Sequence, residues 1–217
     1  MRSQVNKIFL EIEGQTILER SLALFQSSPL IDEIVLVGRL ADLPRFEPLL
    51  AARYPKLRSI VAGGDLRHRS EFAGLRALAA RIDAGEVDRV LVHDAVRPFA
   101  SPQLVARVLE GTAQAVGCIP GLPVNRHTVL IENGVIAAYP RNLWAVQTPQ
   151  AFQATWLLEA HNKAARQGFV GTDTASVVEW AGGDVRVIEG EPTNLKITTP
   201  EDLREAERIA LARRNRR

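Results

Sequence analysis

Val90-Leu91-Val92-His93-Asp94 reads as a buried strand that ends on a carboxylate. The apolar run is too short for a helix, and a continuous rather than alternating pattern belongs to a strand covered on both faces. The same signature recurs at Ile34-Val35-Leu36-Val37, from Leu57 to Val61 and from Val116 to Ile119. Amphipathic stretches lie between these runs. Thr16 to Ser27 aligns Ile17, Leu18, Leu22 and Phe25, and His68 to Ile82 aligns Phe72, Leu75, Leu78 and Ala79. Ser101 to Gln114 aligns Leu104, Val105 and Val108, with Ser101-Pro102 as its start. Strand and helix in alternation predict an α/β fold, a mostly parallel sheet with helices on both faces. Ligands of such sheets bind beyond the carboxyl ends of the strands. That rule selects Gly63-Gly64-Asp65 and His93-Asp94.

The pattern changes near Thr128. Thr128 to Ile131 and Val135 to Tyr139 flank Asn133-Gly134, the strongest short hairpin signal. A hairpin inserted at about residues 124–140 of a single domain spanning 1–217 suggests an arm used for dimer contact. Helices are expected over Phe152 to Arg166 and Thr174 to Trp180, then a strand over Val185 to Ile188 and an apolar strand at Asn194 to Thr198. A last helix opens with Thr199 as N-cap, Pro200 in the first turn, and Glu201 and Asp202 at the positive end of the dipole.

Hydrophobic residues are 46% of the 217, which excludes a disordered chain. The net charge of +2 points to no particular partner. The basic tail Arg213, Arg214, Arg216 and Arg217 reads as a solvated helix end rather than a nucleic-acid contact. Cys118 is the one cysteine, so no intrachain disulfide forms and a reducing compartment fits. No apolar run approaches the ~20 residues of a membrane span, and the first residues carry no apolar signal core. The expectation is a cytoplasmic protein with neither nucleic acid nor membrane as partner.

Asp94 stands where a nucleotide-binding α/β enzyme holds Mg²⁺, which takes one or two carboxylates together with phosphate oxygens. Its position is equally that of a helix cap or of an ion pair with Arg97. Gly63-Gly64-Asp65 permits close backbone approach to a flat ligand, or serves as an ordinary turn. Ser70 follows as a cap or a base contact. Lys7, Arg141 and Lys196 stand near turns, and phosphoryl chemistry needs cations where charge grows. Only four of the 27 basic residues are lysines, which draws attention to Lys7 and Lys196; each also reads as a surface charge. The four histidines show no zinc spacing.

Taken in order, Gly63-Gly64-Asp65 with Arg69-Ser70, Leu91 to Pro98, Arg141-Asn142, Gln147-Thr148-Pro149-Gln150, Thr172-Asp173 and Asn194 to Leu203 closely resemble the 2-C-methyl-D-erythritol 4-phosphate cytidylyltransferases. The resemblance runs from Asn6 to about Ala206. It implies a Rossmann-like nucleotidyltransferase fold, a homodimer joined through the hairpin arm, and transfer of a cytidylyl group from CTP to methylerythritol phosphate with Mg²⁺. By the same resemblance Asp94 matches the metal ligand, and Gly64, Asp65 and Ser70 match the cytidine-binding stretch. Lys7 matches the lysine that stabilises transition-state charge, and Arg141 and Lys196 match the cations that position the polyol phosphate. Arg97, Thr128, Thr148 and Thr172 match positions lining the substrate site.

The sequence departs from the family pattern in three places. Asn6 rather than proline precedes Lys7. The arm reads Pro123-Val124-Asn125-Arg126-His127-Thr128, with one residue more than usual and no aspartate. The opening apolar strand and glycine-rich loop have no counterpart before Met1, which itself fits the methionine closing that loop. Low activity of the 217-residue chain is therefore expected. The alternatives are a ribitol-5-phosphate cytidylyltransferase and a non-catalytic dimeric remnant.

Overall fold

The computed structural model describes residues 6–124 and 128–215, with the side chains of 49–52 outside the description. Met1, Asn125, Arg126, His127, Arg216 and Arg217, on which some sequence expectations fall, lie outside the described residues. After a 3-10 turn at Lys7–Phe9 the elements are β1 (Glu11–Ile12), β2 (Gln15–Thr16), α1 (Ile17–Ser27), β3 (Ile34–Gly38), α2 (Leu43–Ala52), β4 (Leu57–Ala62), α3 (Arg67–Asp83) and β5 (Arg89–Val92). There follow α4 (Pro102–Gly111), β6 (Gly117–Pro123), β7 (Leu130–Glu132), β8 (Val135–Ala138), β9 (Trp144–Val146), β10 (Gln150–Gln153), α5 (Ala154–Gln167), α6 (Thr174–Ala181), β11 (Val185–Glu189) and α7 (Pro200–Arg214).

Local chemistry sets the helix starts. Thr16 and Glu19 form a reciprocal capping box on α1, Ser101 caps α4, and Thr199 and Asp202 form a second box on α7. At the hairpin tip Asn133 and Gly134 take φ of 52° and 81°, the left-handed pair that a two-residue turn requires.

The α/β class holds, with parallel and antiparallel ladders combined. β3 and β4 pair in parallel, as do β6 and β11. β10 runs antiparallel between β5 and β6, which closes the order β11-β6-β10-β5. β9 pairs with the end of β6, and Gly121 has Val146 on one side and Glu189 on the other. β10 corrects the expected helix start at Phe152: Phe152 belongs to the strand, opposite Val90 and Gly117, and the helix begins at Ala154. The expected strand at Asn194 to Thr198 is irregular chain instead. Helix α2 contains Pro44 and Pro48, which hide it from a periodicity reading.

Phe152, Leu157, Val177 and Val178 are fully buried where α5 and α6 cover the larger sheet. The smaller pair β3-β4 has its own core of Leu18, Leu22, Phe46 and Leu57. Among the described residues no strand pairing joins the two sheets between β3 and β5. A slot of about 610 Å³ lies there, walled by Leu18, Leu22 and Phe25 of α1, by Gly74, Leu75 and Leu78 of α3, and by the two strand edges.

Candidate active site

The strand β5 delivers His93 and Asp94 to the end of the larger sheet, and a tight turn follows in which Arg97 N–H donates to the Asp94 carbonyl at 2.9 Å. His93 is held in place as a structural ring. Its Nε2 lies 3.1 Å from the Arg97 carbonyl, its Nδ1 lies 3.2 Å from Thr148 Oγ1, and burial drives its pKa down to about 4. Thr148 Oγ1 also accepts from Asp94 N–H at 3.0 Å. The loop Gln147-Thr148-Pro149, with a cis bond before Pro149, is thereby tied to the end of β5.

A second tie positions Lys196. Ile197, 1% exposed, donates its N–H to the Val96 carbonyl at 2.9 Å. Asn194, fully buried, donates from Nδ2 to the Thr148 carbonyl at 2.9 Å. Buried anchors on both sides thus hold Lys196 without a sheet ladder, and its Nζ reaches Asp94 Oδ2 at 2.9 Å. Arg67, at the first turn of α3, places Nη2 3.4 Å from Asp94 Oδ1. Arg97 Nε stands 3.9 Å from Oδ2, but its Nη1 and Nη2 donate to the carbonyls of Asn194 (2.8 Å) and Val146 (3.3 Å). Burial alone would raise the Asp94 pKa; Arg67, Lys196 and Arg97 outweigh it and hold the carboxylate below its ordinary range.

These groups line a pocket of about 570 Å³ with Gln150, Thr172, Asp173, Ser176 and Glu179. Asp173 caps α6 by accepting from Ser176 N–H at 2.9 Å, so the pocket wall is braced by a helix start. Five residues expected from sequence meet here: Asp94, Arg97, Thr148, Thr172 and Lys196. Lys7 approaches from the other end of the chain, with Nζ 3.4 Å from the carbonyl of Thr198, two residues beyond Lys196. Gly64, Asp65 and Ser70 lie at the β4–α3 turn. Ser70 Oγ donates to the Leu66 carbonyl at 3.1 Å, and a Cβ on Gly63 would meet Ser70 Oγ at 2.7 Å. Asp65 pairs with Arg69 at 2.9 Å in an exposed ion pair. Arg141 and Thr128, at the base of the hairpin, do not line this pocket. Arg67 and Glu71 were missed in the sequence reading. Their spacing of four residues at a helix start was the available signal.

The match to known proteins covers nearly all of this framework. The family model for IspD, 2-C-methyl-D-erythritol 4-phosphate cytidylyltransferase, matches residues 1–212. The chain belongs to the IspD family. A 2-C-methyl-D-erythritol 4-phosphate cytidylyltransferase of Geobacillus kaustophilus is 40% identical, covering 98% of this chain and 92% of the relative. One of Geobacter metallireducens is 39% identical, over 94% of this chain and 88% of the relative. Among solved structures, 4-diphosphocytidyl-2C-methyl-D-erythritol synthase of Anaerococcus prevotii superposes with a TM-score of 0.83 at 30% identity, covering 93% of this chain and 88% of that one. The 2-C-methyl-D-erythritol 4-phosphate cytidylyltransferase of Thermus thermophilus gives 0.75 at 36% identity, over 95% and 94%. IspD membership accounts for the nucleotidyltransferase architecture, and no described helix is long and apolar enough to cross a membrane.

Proposed function

We propose that the chain transfers a cytidylyl group from CTP to 2-C-methyl-D-erythritol 4-phosphate, releasing pyrophosphate, as a cytoplasmic enzyme of isoprenoid precursor synthesis. The observation that carries this reading is the convergence of Arg67, Arg97 and Lys196 on Asp94 at the mouth of one pocket. Cations gathered from α3, the β5 turn and the chain before α7 suit a ligand with several phosphate charges.

In the reaction a phosphate oxygen of the polyol phosphate bonds to the α-phosphorus of CTP, and the bond from that phosphorus to the β-phosphate oxygen breaks. Lys196 and Arg141 hold the attacking phosphate. Lys7 faces the charge that develops on the transferred phosphoryl oxygens. Gly64, Asp65 and Ser70 at the β4–α3 turn receive the cytidine. Thr148 and Thr172 line the polyol side with Arg97, whose hydrogen bonds to two carbonyls make it a brace for the site.

Asp94 fits Mg²⁺, being a single carboxylate facing a polar pocket. Among the described residues no three His, Cys, Asp or Glu side chains cluster as a complete metal cage. Asp94 would hold the ion, and phosphate oxygens and water would supply the remaining ligands that Mg²⁺ prefers. The ion contributes neutralisation of phosphate charge when bound.

The arm supports a homodimer. Ile131, Val135, Ile136 and Tyr139 are more than half exposed on β7, β8 and the chain after them, an apolar surface suited to a second copy. Thr128 and Arg141 at its base would then act toward the partner's pocket. Deleting 129–137 should give monomers by sedimentation; an intact dimer would count against the arm.

The apolar slot bears on activity. One added strand would pair with β3 and β5 at once, and a phosphate-binding loop at its end would open toward Asp94. We therefore propose that a strand seated in this slot, with a glycine-rich loop at its end, raises turnover. The test is pyrophosphate release with CTP and either methylerythritol phosphate or ribitol 5-phosphate, with and without an added strand and loop designed to fill the slot. Equal rates with and without it would remove the slot from the account.

A further inference from the structure

Glu71 is a buried carboxylate beside the site with no role in the reaction described above. It sits on α3, one turn beyond Arg67, with its side chain 7% exposed. Its Oε1 accepts from Arg67 Nε at 2.7 Å, while Oε2 is buried and has only a weak interaction with the Thr174 hydroxyl. Burial pushes its pKa up, against the pull of Arg67. A half-satisfied buried carboxylate is costly, and an apolar residue of similar size would suit a helix interior better. Its one strong contact is with a guanidinium that lines the pocket.

Arg67 is shared unequally between two acids. Nε is hydrogen-bonded to Glu71 at 2.7 Å, and Nη2 lies 3.4 Å from Asp94 with no hydrogen bond made. The short bond fixes the plane of the guanidinium. The longer one leaves Nη2 buried beside Asp94 with its donor unspent. Without Glu71 the long side chain could fold wholly onto Asp94 or swing into solvent, since both lie within its reach.

We propose that Glu71 is a positioning residue: it grips Arg67 from the helix side and keeps the guanidinium turned to the pocket it lines, where an anionic ligand would meet it. This rests on the reading of the pocket as a phosphate site. Two effects oppose each other in sign. Glu71 is a negative charge near the site, so through space alone its loss should tighten anion binding. If positioning dominates, its loss should weaken anion binding.

The experiment compares the wild-type chain with Glu71→Met, which fills similar space without an acceptor, and Glu71→Gln, which keeps a neutral acceptor worth roughly half as much. Pyrophosphate is titrated by calorimetry, and the Arg67 Nε–H resonance is followed by NMR in the ligand-free protein. The expected result is about tenfold weaker pyrophosphate binding for Glu71→Met and about threefold for Glu71→Gln, with unfolding midpoints at or above wild type. The Nε–H signal, slow to exchange in the wild type, should lose its protection in Glu71→Met and recover it partly in Glu71→Gln. Unchanged or tighter binding in Glu71→Met, or an Nε–H signal indifferent to both changes, would overturn the positioning role. If the wild type bound no pyrophosphate, the phosphate reading of the pocket would fall and this proposal with it, whatever the Arg67 signal showed.

Discussion

β5 and β3 face each other across the slot, yet what stands behind each differs. Behind β5 the ladder continues through β10 and β6 to β11, and α5 and α6 seal it with Phe152, Leu157 and Val177 at zero exposure. Behind β3 the ladder ends at β4, and no residue of β3 apart from Leu36 is buried. The charged pocket belongs to the complete side: Asp94, Thr148, Asp173 and Lys196 are all tied to it by hydrogen bonds between separate elements. The β4–α3 turn and its glycines belong to the other side. The difference teaches that a polar pocket is braced by hydrogen bonds between separate elements where the core behind it is closed, while the β4–α3 turn rests on a sheet edge that lacks a neighbour among the described residues.

The largest expected effect tests the complete side. Asp94→Asn is nearly isosteric and removes the one carboxylate on which three cations converge. Turnover of the extended chain should fall by at least about 10²-fold, with the circular dichroism spectrum unchanged. Retained turnover with the same magnesium dependence would take Asp94 out of the metal role.

Next comes the open side. Filling the slot with a strand should cover the half-buried Phe25 of α1, Leu78 of α3 and the apolar edges of β3 and β5. The gain in unfolding free energy is on the order of 5 kcal/mol, at ~1.5–3 kcal/mol for each side chain buried less the cost of ordering the strand. Denaturant melts of the two forms measure it. An unchanged midpoint would mean that the two sheets are not coupled through the slot.

A third effect concerns α3 and α5, the helices that join the two sides. His161 is fully buried, stacked on His68 at 4.9 Å and on Phe72 at 5.8 Å, with neither ring nitrogen hydrogen-bonded. Burial lowers its pKa from 6.5 to about 4. The unfolded chain takes up the proton below pH 6.5 and the folded chain only below about 4, so stability is complete above 6.5 and falls as the pH drops through that interval. The loss should approach ~3 kcal/mol at the acid end. His161→Phe should flatten this part of the pH–stability curve; a curve that kept its slope would assign the loss to other groups.

Much of this was legible in the sequence, for physical reasons that differ by element. Val90 to Val92, Ile34 to Val37 and Leu57 to Val61 announce themselves because strands covered on both faces are apolar throughout. Thr16, Ser101 and Thr199 mark helix starts because capping is local chemistry. Gln150 to Gln153 was hidden, since Ala151 and Phe152 alone carry its apolar character and its strand state comes from pairing with β5 and β6. Lys196 was found for a partly mistaken reason: the chain around it is pinned by Asn194 and Ile197, and no ladder holds it. Arg67 and Glu71 were not found, because a four-residue spacing of opposite charges on a helix usually lies in solvent. Only the fold shows that this pair faces inward.

The central claim is that the pocket around Asp94 transfers a cytidylyl group to a phosphorylated polyol. Its most direct test is a pyrophosphate-release assay on the strand-extended chain with CTP, Mg²⁺ and either methylerythritol phosphate or ribitol 5-phosphate. The account predicts release that depends on methylerythritol phosphate, yields CDP-methylerythritol, and is much slower with ribitol 5-phosphate. Release with ribitol 5-phosphate at an equal or greater rate, or no release with either, would contradict it.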